Sequence, residues 1–124
     1  MLSYPHGIFV DTNRDLYVAD CGNNRIQLFP LGQSNATTIV GSGSINVTIS
    51  LTTPMDIVLD ADKYLFIADF DGNRIIGSGP NGFRCIIGCT GVSGSSSNTL
   101  NHPTSITFDT FGNIFVVDQW NSRI

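Results

Sequence analysis

The 124-residue chain contains no glutamate, a single lysine and only four alanines. Helices draw on Ala, Glu, Lys and Leu, so this composition excludes a helical bundle and makes an α/β fold a poor expectation. Positive charge is also scarce: six Lys and Arg face ten acidic residues, all aspartate, for a net charge of −4. No long-range field therefore draws the chain to nucleic acid or anionic lipid. No run approaches the roughly 20 apolar residues of a membrane span. The opening Met1-Leu2-Ser3-Tyr4-Pro5-His6-Gly7 has neither a charged n-region nor an apolar h-region, so no signal peptide is expected in it. Gly-x-Ser-x-Gly elbows, phosphate loops and Cys-His pairing signatures are missing too.

What is present belongs to strands and turns. Ile, Val, Thr, Phe and Tyr supply 44 residues, beside 13 Gly, 12 Ser and 11 Asn. β-Branched and aromatic residues fit pleated, half-buried strands, whereas Gly, Asn, Asp and Ser fit tight turns. At 41% hydrophobic and 13% charged, the chain is not disordered.

The order of these residues is periodic. Pro5, Pro54 and Pro103 stand 49 apart, as do Ile8, Ile57 and Ile106, and Asp11, Asp60 and Asp109. The same interval joins Asp20, Asp69 and Asp118, then Arg25, Arg74 and Arg123. This gives repeats at about 4–52 and 53–101 and an incomplete third at 102–124. Each repeat reads as four strands. Strand A is expected at Gly7–Asp11, Asp56–Asp60 and Ser105–Asp109, entered through the proline. Strand B is expected at Leu16–Ala19, Leu65–Ala68 and Ile114–Val117. Strand C begins at Arg25, Arg74 and Arg123, and strand D covers Thr37–Val40 and Arg84–Ile87. Strands A and B are apolar at nearly every position, which predicts burial of both faces. A small sheet buried on both faces needs a like sheet on each side, the arrangement of blades in a β-propeller.

The pattern Pro-x-x-Ile…Asp…Leu-Tyr-Val-Ala-Asp-x-x-Asn-Asn-Arg-Ile resembles the NHL repeat, carried by Asp20–Ile26, Asp69–Ile75 and Asp118–Ile124. The resemblance implies an all-β fold of four-stranded antiparallel blades, as part of a propeller that closes with six. On that reading the chain is a fragment of two and a half blades, and its first partners are the remaining blades. Expressed by itself it would expose apolar end faces and associate. The family's His is replaced by Asn24, Asn73 and Ser122, and its Gly, present at Gly7, by Asp56 and Ser105.

The Asp–Arg pairs Asp20/Arg25, Asp69/Arg74 and Asp118/Arg123 recur in every unit, which favours turn construction over ligand binding. With those arginines assigned to structure, Arg14, Lys63 and Arg84 remain, too few and scattered for a nucleic-acid face. Asp69-Phe70-Asp71-Gly72-Asn73 reads as an Asp-Gly turn, since a calcium loop wants Gly at position six and Glu at twelve. Asp56 breaks the repeat near the propeller axis, where relatives of this class hold a metal; a lone carboxylate reads as a paired or capping residue instead. His6 and His102 occupy inequivalent positions and read as exposed turn residues. Trp120 replaces Gly22 and Asp71 at a turn tip, where it either contacts a ligand or packs on a neighbouring blade.

Cys85 and Cys89 would lie about 13 Å apart in an extended strand, beyond disulfide reach, but would meet if Gly88 ends the strand in a turn. Cys21 then stays unpaired. Asn35-Ala36-Thr37 and Asn46-Val47-Thr48 are N-glycosylation sequons. Together these favour a secreted protein or ectodomain, with a cytoplasmic setting as the alternative. The antiparallel strand order puts the B–C turns and D–A linkers on one rim, with Trp120, Asp56, Ser105 and Asn46 as binding-face candidates. The expected function is a non-enzymatic module that binds a protein or glycan and needs no cofactor. The alternative is part of a metal-dependent lyase or lactone hydrolase, using calcium or zinc near Asp56.

Overall fold

The computed structural model describes residues 1–45 and 48–124. β1 (Pro5–Val10), β2 (Leu16–Asp20), β3 (Arg25–Phe29) and β4 (Thr37–Gly41) form one antiparallel sheet in chain order. β5 (Pro54–Leu59), β6 (Leu65–Asp69), β7 (Arg74–Gly79) and β8 (Gly82–Ile87) repeat it. A third sheet is the pair β9 (Pro103–Phe108) and β10 (Ile114–Asp118), followed by the single bridge Asp118–Arg123. The first strands β1, β5 and β9 lie side by side, so the three sheets are arrayed face to face about a common edge.

The alternation hidden by the all-apolar strands becomes visible in the middle sheet. Leu65, Ile67 and Ile76 pack toward the first sheet with Tyr17, Ala19, Ile26 and Val40. Phe66, Ala68 and Ile75 pack toward the third with Leu100, Ile106 and Val116. Each strand of this sheet thus feeds two cores. Burial of both faces does not extend to the outer sheets: Ile8 and Val10 on β1, and Phe115 and Val117 on β10, are exposed.

The inner strands begin at the prolines, two residues before the expected starts at Gly7, Asp56 and Ser105. Proline pairs with the last residue of the next strand in all three sheets (Pro5–Asp20, Pro54–Asp69, Pro103–Asp118), and a bulge follows. The extra bulge residue breaks the period-two pattern, so sequence reading starts the strand too late. β8 likewise starts at Gly82, ahead of the expected Arg84.

Turns on the far rim are closed by Asp11, Asp60 and Asp109. In each, one carboxylate oxygen accepts the amides two and four residues later, at 2.8–3.0 Å. The residue between those amides is left-handed: Arg14 at φ 65°, Lys63 at 63° and Gly112 at 82°. Only glycine adopts this conformation without cost. Arg14→Gly is therefore expected to raise stability by about 0.5–1 kcal/mol, read as a shift in urea midpoint at matched protein concentration. A fall in the midpoint would contradict the strain assigned to Arg14.

Candidate functional site

The near rim is built around three buried carboxylates. Asp20, Asp69 and Asp118 are almost wholly inaccessible. One oxygen of each accepts the amide of the residue two before its sheet's proline: Ser3 at 2.7 Å, Thr52 at 2.6 Å and Asn101 at 2.7 Å. The other oxygen accepts the guanidinium Nε of Arg25, Arg74 or Arg123, at 2.7, 2.8 and 2.6 Å. Each arginine then donates onward to linker carbonyls, Arg74 to Ser50 and Arg123 to Ser95, Ser96 and Thr99. The pair ties the incoming linker to the turn, and its charges are committed inside the protein.

Two differences set the middle site apart: Asp71 places a like charge beside Asp69, and an amide donor is missing. Asn23 and Asn121 add a side-chain amide to Asp20 and Asp118, at 2.9 and 2.8 Å. The middle sheet has Gly72 there, where a Cβ would stand 2.8 Å from the Asp69 Cγ. Burial raises the Asp69 carboxyl above its usual range in spite of the Thr52 amide and Arg74. Burial pushes the same way at Asp20 and Asp118 but is outweighed there. At Asp20 the Ser3 amide, Asn23 and Arg25 hold the pKa below the usual value; at Asp118 Asn121, the Asn101 amide and Arg123 do so.

The linkage follows from these directions. Stability from Asp20 and Asp118 is complete above the unfolded value of about 3.9 and is lost as pH falls through their lower folded values. Asp69 favours the fold below about 3.9, and that contribution is lost as pH rises through its raised folded pKa. Carbon-13 titration of the carboxylates is expected to place Asp69 highest. An Asp69 value below that of Asp20 would contradict burial, the Asp71 charge and the missing Asn as its causes.

A second latch was not legible as such. Tyr4, Thr53 and His102, each just before a proline, have φ of 46°, 58° and 55°, a region disfavoured for any residue in that position and most of all for β-branched Thr. Asn24 Oδ1 accepts the Thr53 amide at 2.8 Å, and Asn73 Oδ1 accepts the His102 amide at 2.9 Å, each reaching from one sheet to the next. Both asparagines are themselves left-handed, at φ 52° and 53°. The signal was the replacement of the expected His by Asn at two equivalent positions.

Trp120 stands at the tip of the turn after β10 and is 62% exposed. Its ring stacks on His102 at 3.6 Å between centroids and 25° between planes. Phe70 meets both rings edge-on, at 4.6 Å from His102 and 6.4 Å from Trp120. The Trp120 amide donates to Asn101 O, fixing the turn to the linker. Trp120 packs across the junction, with most of its ring uncovered by the described residues. His102 is a correction: it is not an exposed turn residue but a half-buried one. Neighbouring rings cover it, and its Nε2 lies 3.5 Å from Asp71 Oδ1.

Asp56 and Ser105 bond to each other on the inner strands. Asp56 Oδ2 accepts Ser105 Oγ at 2.8 Å and the Ile106 amide at 3.1 Å, while Oδ1 accepts the Ile57 amide at 2.9 Å. Every contact is a donor to the carboxylate. No group of three or more His, Cys, Asp or Glu side chains converges among the described residues. Cys85 and Cys89 are joined, their Cα atoms 5.7 Å apart across a left-handed Gly88. Cys21 is free and buried, its Sγ 3.6 Å from Met55 Sδ. Asn35 is exposed in the β3–β4 loop; Asn46 lies outside the described residues.

Comparison with known proteins agrees with this architecture. The family description NHL repeat matches residues 2–29. A structural-genomics protein of unknown function from Bacteroides thetaiotaomicron VPI-5482 superposes with a TM-score of 0.80 at 17% identity, covering 98% of this chain and 35% of that one. Virginiamycin B lyase from Staphylococcus aureus gives 0.65 at 16% identity, with 92% and 34% covered. A streptogramin B lyase gives 0.56 at 18% identity, with 96% and 42% covered. At these identities the likeness establishes the fold, and the chain spans about a third of the length of the first two. The chain carries an NHL repeat at residues 2–29 and has the fold of a β-propeller segment.

Proposed function

We propose that this propeller segment belongs to a non-enzymatic binding module, which uses the rim of Asp69–Arg74, Asp118–Arg123 and the adjoining linkers to engage a protein or glycan. The observation that carries the reading is Trp120, a large aromatic surface left open to solvent yet held rigidly by His102, Phe70 and a backbone bond to Asn101. A pre-ordered aromatic loses little entropy on binding, which is why such residues anchor interfaces. The rim cations Arg25, Arg74 and Arg123 are engaged with carboxylates, which argues against nucleic acid as the partner. The Cys85–Cys89 bridge and the exposed Asn35 sequon support an extracellular setting.

A photo-crosslinking residue at position 120 of the whole protein is expected to give partner adducts, on protein or immobilised glycan. The same residue at exposed Phe111, in the far-rim turn after β9, is expected to give none. Adducts from position 111 alone, or equal yields from both, would contradict the assignment.

The second reading, part of a lyase or lactone hydrolase, draws on the lyases among the structural matches. It would need calcium or zinc near Asp56, whose carboxylate is engaged by three donors of the protein. Stoichiometric metal in the whole protein, lost together with an activity in Asp56→Ala, would favour it over the first.

A further inference from the structure

The two sheet junctions differ on the near rim in a way that names an occupant. At the second junction the Phe70 ring fills the space beside His102. One repeat earlier, Cys21 and Gly22 stand where the second junction has Phe70 and Asp71, and Thr53 stands where it has His102. Neither ring is supplied, and a cleft of about 400 Å³ opens between Tyr4, His6, Cys21, Gly22, Thr53 and Met55. We infer that this cleft receives an aromatic side chain of a protein partner, placed as Phe70 is placed at the next junction. The inference deepens the proposed binding function and rests on it.

The lining suits a ring. The Cys21 and Met55 sulfurs, 3.6 Å apart, are polarisable surfaces that contact aromatic rings favourably. Cys21 offers its sulfur as a neutral thiol, since burial and the charges of Asp71 and Asp20 raise its pKa. Tyr4, 81% exposed and held left-handed, adds an aromatic wall. A sugar would instead need several free polar groups. Here Asn24 Oδ1 is taken by the Thr53 amide and the Thr53 hydroxyl donates to Asp71, leaving, among the described residues, only the Tyr4 hydroxyl and the His6 imidazole as uncommitted polar side-chain ends beside the Asn24 amide. The volume is in the range that encloses small ligands, so one ring leaves room for its flanking backbone.

Saturation-transfer NMR with N-acetyl-L-phenylalaninamide, which tolerates self-association of the protein, tests this directly. Transfer to the probe's ring protons is expected, falling at least about tenfold in Cys21→Phe, which supplies the ring from within, and persisting in Trp120→Ala. Should Cys21→Phe fail to fold, the unmodified protein still decides: the probe is expected to shift the methyl resonance of Met55, which lines the cleft, saturably with its concentration. Absence of transfer overturns the inference, as does an unmoved Met55 resonance. Transfer undiminished in a folded Cys21→Phe also overturns it. Transfer lost in Trp120→Ala but kept in Cys21→Phe overturns the cleft while leaving the rim's binding function standing.

Discussion

Asp69→Ala is expected to lower stability by about 3 kcal/mol, the largest effect of any single change considered for this chain. Truncation removes the acceptor of two strong bonds at once. The Thr52 amide and the Arg74 Nε, at 2.6 and 2.8 Å, lose their partner in a site where the carboxylate is fully buried and the arginine side chain only 23% exposed. An unpaired guanidinium at that depth costs far more than the net worth of the original pair. The linker loses its anchor too, because Arg74 Nη2 holds Ser50 O at 2.7 Å. Asp118→Ala should cost less, since Arg123 is more exposed and keeps three carbonyl acceptors. Urea titrations at matched protein concentration measure both. Equal midpoint shifts for the two variants would remove burial as the governing cause.

Gly7→Ala is expected to cost about 2–3 kcal/mol by overpacking, although alanine is chemically the mildest replacement. The added Cβ would stand 2.6 Å from the Asp56 Cα and 2.8 Å from the Met55 carbonyl oxygen, and would meet the Asp56 carboxylate as well. Two of these neighbours are backbone, so no rotamer change relieves them; β1 and β5 must separate. Hydrogen exchange should therefore accelerate in β1 and β5 together. Ala at the half-buried Gly79, where a Cβ meets nothing within 4 Å, serves as the control. A Gly7→Ala midpoint within about 0.5 kcal/mol of the parent, the ordinary range for surface changes, would show that the first junction is not closed by this contact.

The two sites were legible to different degrees. The Asp–Arg spacing recurs three times and is local, so the sequence pointed to it and to a structural use. Gly7, Asp56 and Ser105 were visible as departures from one another, but their relation is not local. They occupy one position on three neighbouring strands, where Gly7 packs on the Asp56 backbone and Asp56 accepts from Ser105. The strand starts were misplaced because a bulge follows each proline. His102 was misplaced because its partners, Phe70 and Trp120, are 32 and 18 residues away in sequence.

The 49-residue period, the strand-and-turn composition and the Asp, Pro and Gly positions determined the unit by themselves, because the bonds that define a blade form mostly within it. Absence of Glu and near-absence of Lys and Ala reflect that same unit: short strands and Asp-closed turns leave helix formers little place. What the sequence could not determine was how two nearly identical units differ where they touch. Whether a junction is filled by Phe70 or left open at Cys21, and whether Trp120 is buried or presented, depends on side chains from different repeats meeting across a gap. Those distances exist only once the sheets have packed against one another.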